Sequence, residues 1–246
     1  MDEMLYVAMT GARNMMLAQT VNANNLANAS TIGFRADMLA AESHQIMGPG
    51  YPSRINATQE TAGWNFQPGP MQNTGRQLDV AVQGDGWIAV QGIDGEEVYT
   101  RAGDLQLGPG GVLVNGAGQF VLGEGGPVAI PPFQKLEIGG DGSVSIVPLG
   151  QTANTLATVD RIRLVNPASE NLVKGIDGLI RTRDGIAAEP DASVQLASGV
   201  LEGSNVNAIE SLISMLDLAR RYEMQVKLMD TANDNAAAAA QLMQMS

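Results

Sequence analysis

The alternation of apolar and polar positions divides the chain into three regimes. From about Met4 to Ala29, Leu5, Ala8, Ala12 and Met15 recur every three or four positions, and Gln19, Asn22 and Leu26 continue the line. That interval places side chains on one stripe of an α-helix. From about Gly48 to Gly203 the pattern shortens to alternating or apolar runs: Leu78–Val82, Trp87–Val90, Val112–Val114, Phe120–Leu122, Val144–Ile146, Arg161–Val165 and Val194–Leu196. Between them sit turn pairs such as Asp94-Gly95, Asn115-Gly116, Asp141-Gly142 and Asp177-Gly178, which supply the positive φ of tight hairpins. Many short strands at this spacing predict a small antiparallel sandwich or open barrel. The stretch from Met47 to Thr74 has four prolines and few strand signals; it reads as an extended connector.

From Asn207 the helical interval returns. Leu212, Met215, Ala219, Tyr222, Val226, Met229, Asn233, Ala236, Ala240 and Met243 form one seam, and Asn207 followed by Glu210 has the form of a capping box. Its larger side chains, fully buried, would contribute on the order of 10 kcal/mol. Ordering the backbone costs roughly 1–2 kcal/mol per residue before hydrogen bonds and helix propensity offset most of it. Such a helix needs a partner. Leu216, Ile209, Met9 and Met16 widen both stripes, which predicts several neighbours, as in a polymer built by heterologous contacts. The alternative is that both helices pack on their own β domain.

The first helix runs into Asn22, Asn24, Asn25 and Asn28, although asparagine is a mediocre helix former. An unpaired buried amide costs ~1–3 kcal/mol. At an interface these residues and Asn233 would therefore penalise wrong helix registers. The alternative is a water-facing helix end with an Asn near its cap. Gly33 is expected to end the helix and Phe34 to anchor the chain's exit.

Charge and composition narrow the function classes. A formal charge of −12 and a pI near 4.4 argue against nucleic acid and anionic membrane surfaces, which require a basic face. With no cysteine, disulfides and thiolate metal sites are excluded. The single histidine, His44, precedes Gly48-Pro49-Gly50 and reads as a solvated loop residue. Met1-Asp2-Glu3-Met4 lacks the basic-then-apolar layout of a signal peptide, and no apolar run approaches the ~18–20 residues that span a bilayer.

Enzyme chemistry finds no motif. Glu96 and Glu97 are adjacent in a strand-like run and point to opposite faces. The aspartates before glycine are turn residues without calcium-loop spacing, and Gly108–Gly123 matches no phosphate-binding loop. No cofactor or metal site is expected. Trp64, Trp87, Tyr51, Tyr99 and Phe120 could form a sugar-stacking platform; core packing is the expected job of Trp87 and Phe120.

Several long motifs, in one order, carry a family resemblance. "NNLANASTIGFR" (Asn24 to Arg35) resembles the N-terminal signature of the bacterial flagellar axial proteins, the rod and hook group. "LDVAVQGDGWIAVQ" (Leu78 to Gln91), "YTRAGDLQLGPGGVLVNGAGQFVLG" (Tyr99 to Gly123), "DGSVSI" (Asp141 to Ile146) and the stretch from Ser198 to Ala237 follow in the group's order. Length, short connector and the ending "NDNAAAAAQLMQMS" are similar to the proximal-rod branch. Trp87-Ile88 and Leu105, where many relatives carry phenylalanine, shift the likeness away from the distal-rod branch, which is the alternative.

The resemblance implies a structural subunit of a hollow rod that crosses the periplasm and transmits motor torque. It implies export by the flagellar type III apparatus without a cleaved signal, and neighbours of the FlgB, FlgC and like rod types with FlgG above. The implied fold is α+β, with terminal helices (1–30 and 206–246) forming a coiled-coil layer around a mainly antiparallel β domain (74–205) reached through an extended connector (31–73). Leu5, Ala12, Met15, Asn22, Asn24, Asn25, Leu26, Asn28 and Phe34 are then the expected interface residues of the first segment. Leu212, Met215, Ala219, Tyr222, Val226, Met229 and Asn233 are those of the last.

Overall fold

The computed structural model describes residues 2–45, 55–150 and 156–244. Its architecture is α+β: two long helices, α1 (Asp2–Ala27) and α2 (Ala208–Gln244), stand at the chain ends, with strands between. Every strand pairing among the described residues is antiparallel. The chain divides into two compact units, one of 1–29, 36–65 and 206–246, the other of 30–35 and 66–205.

The first unit holds α1, α2 and a strand pair, β1 (Asp37–Gln45) and β2 (Ile55–Trp64). Asn22 Nδ2 donates to the Ser211 carbonyl at 2.7 Å, and the Gln225 amide lies 3.0 Å from where a Cβ on Gly11 would stand. Residue numbers thus fall along one helix as they rise along the other, so the helices are antiparallel. Asn207 caps α2, its Oδ1 accepting the N–H groups of Ile209 at 3.1 Å and Glu210 at 3.4 Å.

Two expectations change here. The stretch 31–73, expected as an extended connector, contains the paired strands β1 and β2. β1 reads DMLAAESHQ, with neither clean alternation nor β-branched residues, so a period-two reading passes over it. And α1 stops at Ala27, six residues before Gly33. The Asn28 N–H closes the last turn onto the Asn24 carbonyl at 3.1 Å. Gly33 serves a close approach instead: at φ +67° its absent Cβ would stand 2.3 Å from the Arg101 carbonyl carbon.

The second unit is β structure. Its strands are β3 (Met71–Asn73), β4 (Val80–Gln83), β5 (Trp87–Gln91), β6 (Glu97–Thr100), β7 (Gln106–Leu107), β8 (Leu113–Val114) and β9 (Phe133–Ile138). They continue as β10 (Ser143–Pro148), β11 (Ala157–Arg161), β12 (Leu164–Val165), β13 (Leu172–Lys174), β14 (Ile180–Thr182), β15 (Gln195–Ser198) and β16 (Val200–Glu202). A five-stranded sheet runs β12-β5-β6-β14-β13, a three-stranded one β11-β10-β9, and pairs form between β4 and β15, β3 and β16, β7 and β8. Inward residues of these small sheets share one core, with Val80, Val82, Ile88, Val90, Val98, Leu105, Leu113 and Val121 fully buried. The Phe120–Leu122 run forms single bridges rather than a strand.

Candidate assembly interface

In the helix unit the inside is small and polar. Ala8, Ala12, Asn14, Ser211 and Ala232 are the buried helix positions among the described side chains. Met15, Gln19, Asn22, Leu26, Met215, Ala219, Tyr222, Val226 and Met229 are half-buried, so the predicted stripe does run along the contact. Its ends differ. Leu5, Leu212 and Asn233 are exposed, while Ser211 and Ala232, one residue earlier in α2, are buried. Small residues let the two backbones approach, and the seam rotates toward them; the side chains of Ala236, Ala240 and Met243 are outside the described set.

A second set of large apolar side chains is exposed. On α1, Tyr6, Met9, Met16 and Leu17 are exposed, and on α2, Ile209, Ile213, Leu216, Met224 and Leu228. On α2 they fall at intervals of three and four, with Arg220 interrupting, and so form a second, outward stripe. Among the described residues, no helix is long and apolar enough to cross a membrane.

Asn22, Asn25 and Asn28 spend their amides within the chain. Asn25 holds the Asp37 backbone at both ends, Nδ2 to its carbonyl and Oδ1 from its N–H, each at 2.9 Å. It thereby pins the start of β1 to α1. Asn28 Nδ2 donates at 2.9 Å to the Asn24 carbonyl, the same acceptor that takes its own N–H. Asn22 makes the bond between helices described above, and Asn24 is exposed. Asn14, buried in the helix pair, went unnoticed in the sequence because it lies one residue off the seam.

In the β unit, Phe34 is half-buried under the Lys174 ammonium, which lies 4.1 Å from its ring centroid. Beside it a polar cluster is sealed into the fold. The Glu202 carboxylate is fully buried and takes Arg35 Nη2 at 2.7 Å, Arg101 Nη1 at 3.1 Å and the Gly69 N–H at 3.0 Å. Arg35 also donates to the Gln67 carbonyl, and Arg101 Nη2 to the Gly84 carbonyl at 2.8 Å. Both guanidinium carbons lie over the Trp87 ring, 6.0 Å and 5.0 Å from its centroid. Burial pulls both arginines below their ordinary pKa range and the Glu202 charge opposes it. The cluster binds the chain's entry at Gly33–Arg35 to its exit at Glu202, and Gly33 N–H reinforces it on the Glu202 carbonyl at 2.8 Å. Each partner stood inside a quoted motif, as a charge among apolar and glycine residues; their pairing across the sequence was not visible.

The aromatic platform does not form. Trp64, Trp87 and Tyr99 are buried at 6%, 6% and 0% exposure. Phe120, expected in the core, is 41% exposed, because successive residues of an extended run point to opposite sides and its neighbour Val121 takes the inward place. Tyr51 and the stretch Gly48-Pro49-Gly50 are outside the described residues. Among the described residues, no group of three or more His, Asp or Glu side chains is gathered as a cation site.

Two family models match the chain. One described as the flagellar hook protein FlgE/F/G D1 domain covers residues 81–146, and one described as the flagellar basal body rod FlgEFG protein C-terminal covers 197–242. The chain is 44% identical to the flagellar basal-body rod protein FlgF of Escherichia coli (strain K12), with 100% of each covered. It is 32% identical to the FlgF of Caulobacter vibrioides over 98% of each. With the flagellar basal-body rod protein FlgG of Bacillus subtilis the identity is 30%, over 94% of this chain and 95% of that one. The chain belongs to the FlgF family of flagellar basal-body rod proteins.

Proposed function

We propose that this chain is a structural, non-enzymatic subunit of the proximal rod, polymerising with its neighbours into the hollow shaft that carries motor torque across the periplasm. The observation that carries this reading is the exposed apolar stripe that the helix pair displays beside its own contact. The fully buried positions of α1 and α2 are small or polar, and Ile209, Ile213, Leu216, Met9 and Met16 are exposed. A monomer would gain by burying them; a polymer does so with sister helices. The terminal segments 1–30 and 206–246 then make the rod's inner helical layer and 74–205 its outer part, joined through 31–73. Neighbours are rod subunits of the FlgB, FlgC and FlgF types, with FlgG above, and the subunit arrives through the type III export apparatus.

The test is an Ile213→Asp/Leu216→Asp variant. Both positions are exposed, so the folded chain should lose no more than about 0.5 kcal/mol. Cells carrying it should be non-motile, with rods absent from isolated basal bodies. Normal rods would refute the reading.

A further inference from the structure

Two hairpin turns of the five-stranded sheet carry the same four residues, Gly92-Ile93-Asp94-Gly95 between β5 and β6 and Gly175-Ile176-Asp177-Gly178 between β13 and β14. Their geometry is the same. The fourth residue's N–H bonds the first residue's carbonyl at 3.0 Å in both. The aspartate Oδ1 takes the N–H two residues on, at 3.2 Å from Glu96 and 3.1 Å from Leu179, and the final glycine has a φ of 84° or 79°. These bonds account for the aspartate and the glycine. They do not account for the isoleucine.

Two other turns of the same kind serve as controls. Gly139–Gly142 and Thr182–Gly185 share the closing bond, the aspartate bond and the positive-φ glycine, yet Gly140 and Arg183 stand where the isoleucines do. Nothing local selects an apolar residue there. Nonetheless Ile93 and Ile176 are completely exposed, at 108% and 112%. The two tips are also held side by side, since one Arg181 nitrogen reaches Asp177 Oδ2 at 2.8 Å and Asp94 Oδ2 at 3.5 Å.

We infer that Ile93 and Ile176 form a two-pronged apolar tip that docks onto a second copy of this chain in the polymer; the inference rests on the rod reading above. Area decides the occupant. Two isoleucines offer roughly a few hundred Å², against about 800 Å² per partner in a stable complex. Such a contact cannot hold a free partner in dilute solution. It adds strength where the helices already keep two copies at high local concentration.

An Ile93→Ser/Ile176→Ser variant keeps the turn bonds and should melt like the parent. Its incorporation into rods, measured by immunoblot of isolated basal bodies, should fall roughly tenfold or more, as loss of two buried isoleucines requires. A benzophenone amino acid at position 176 should yield, in cells, an adduct containing two copies of this chain. Parental incorporation, no adduct, or an adduct to a different protein would overturn the inference. If Ile213→Asp/Leu216→Asp abolishes rods while the tip variant behaves like the parent, only the tip falls. If both leave rods intact, the rod reading falls with it.

Discussion

The two units use the hydrophobic effect in opposite senses. In the β unit a large apolar core is fully buried, with exceptions such as Ile93 and Ile176 at turn tips, and the charged cluster of Glu202 with Arg35 and Arg101 is buried with its partners. In the helix unit the fully buried helix positions are alanine, asparagine and serine, Met15, Leu26, Met215 and Met229 are only half-buried, and Met9, Met16, Ile209, Ile213 and Leu216 are exposed. A domain that keeps its large apolar groups in its own core is stable alone; one that displays them gains its stability on association. On the rod reading proposed above, one chain joins a unit with its own large core to a unit whose exposed apolar stripe awaits neighbours.

The comparison breaks most decisively at Glu202. Glu202→Leu would leave two buried guanidinium groups without their carboxylate, a loss of about 3–5 kcal/mol. Urea unfolding of the full chain should show it as an earlier transition of the β unit. A residual stability within 1 kcal/mol of the parent would mean the cluster contributes little. Limited proteolysis of the dilute parent sharpens the same contrast: cuts should appear first in α1 and α2 and leave roughly 74–203 intact. Equal resistance in both would make the helix pair as self-sufficient as the β unit.

What was legible in the sequence follows from where the signal was local. Helical intervals and a capping Asn207 are short-range properties, so both helices and the α2 start were readable. Strands with β-branched alternation, such as Trp87–Gln91, were readable too. β1 and β2 were not, because the register that pairs Asp37 with Trp64 is a tertiary fact. The expected interface seam lies on the contact between the helices, but its buried ends fell to Ser211 and Ala232, since close backbone approach favours small residues over Leu212 and Asn233. The Arg35–Glu202 pair spans most of the chain, and no spacing rule reaches that far.

A middle-sized effect tests how tightly the helices approach. Gly11→Leu must displace the Gln225 amide 3.0 Å from its Cβ and then find room for a whole side chain; it should cost about 1–3 kcal/mol. Gly11→Ala should reverse the sign. The obstructing atoms are the free end of a flexible side chain, and removing a helical glycine contributes roughly 0.5–1 kcal/mol. Opposite shifts in α-helical melting by circular dichroism are expected, and equal shifts would mean the backbones are not in close approach there. Asn22→Leu should cost about 1 kcal/mol through the lost bond to Ser211.

The smallest effect belongs to the β unit and has a pH signature. Burial, with the Asp79 charge adding to it, raises the Asp104 carboxyl, while Gly116 N–H and Arg76 oppose the shift. A carboxyl whose folded pKa lies above its unfolded value holds more protons in the folded state across that window. Its contribution is therefore complete below the unfolded pKa and is lost as pH rises through the folded one. Asp104→Asn keeps an oxygen for the Gly116 N–H and removes the charge. The variant should match the parent in acid and become slightly more stable as pH climbs toward neutrality, a gain well under 1 kcal/mol because the group is only half-buried. Denaturation midpoints of parent and variant at several pH values would show the gap opening upward. A gap that opened toward acid would mean that Asp104 is stabilised as the carboxylate, with the hydrogen bond from Gly116 outweighing burial.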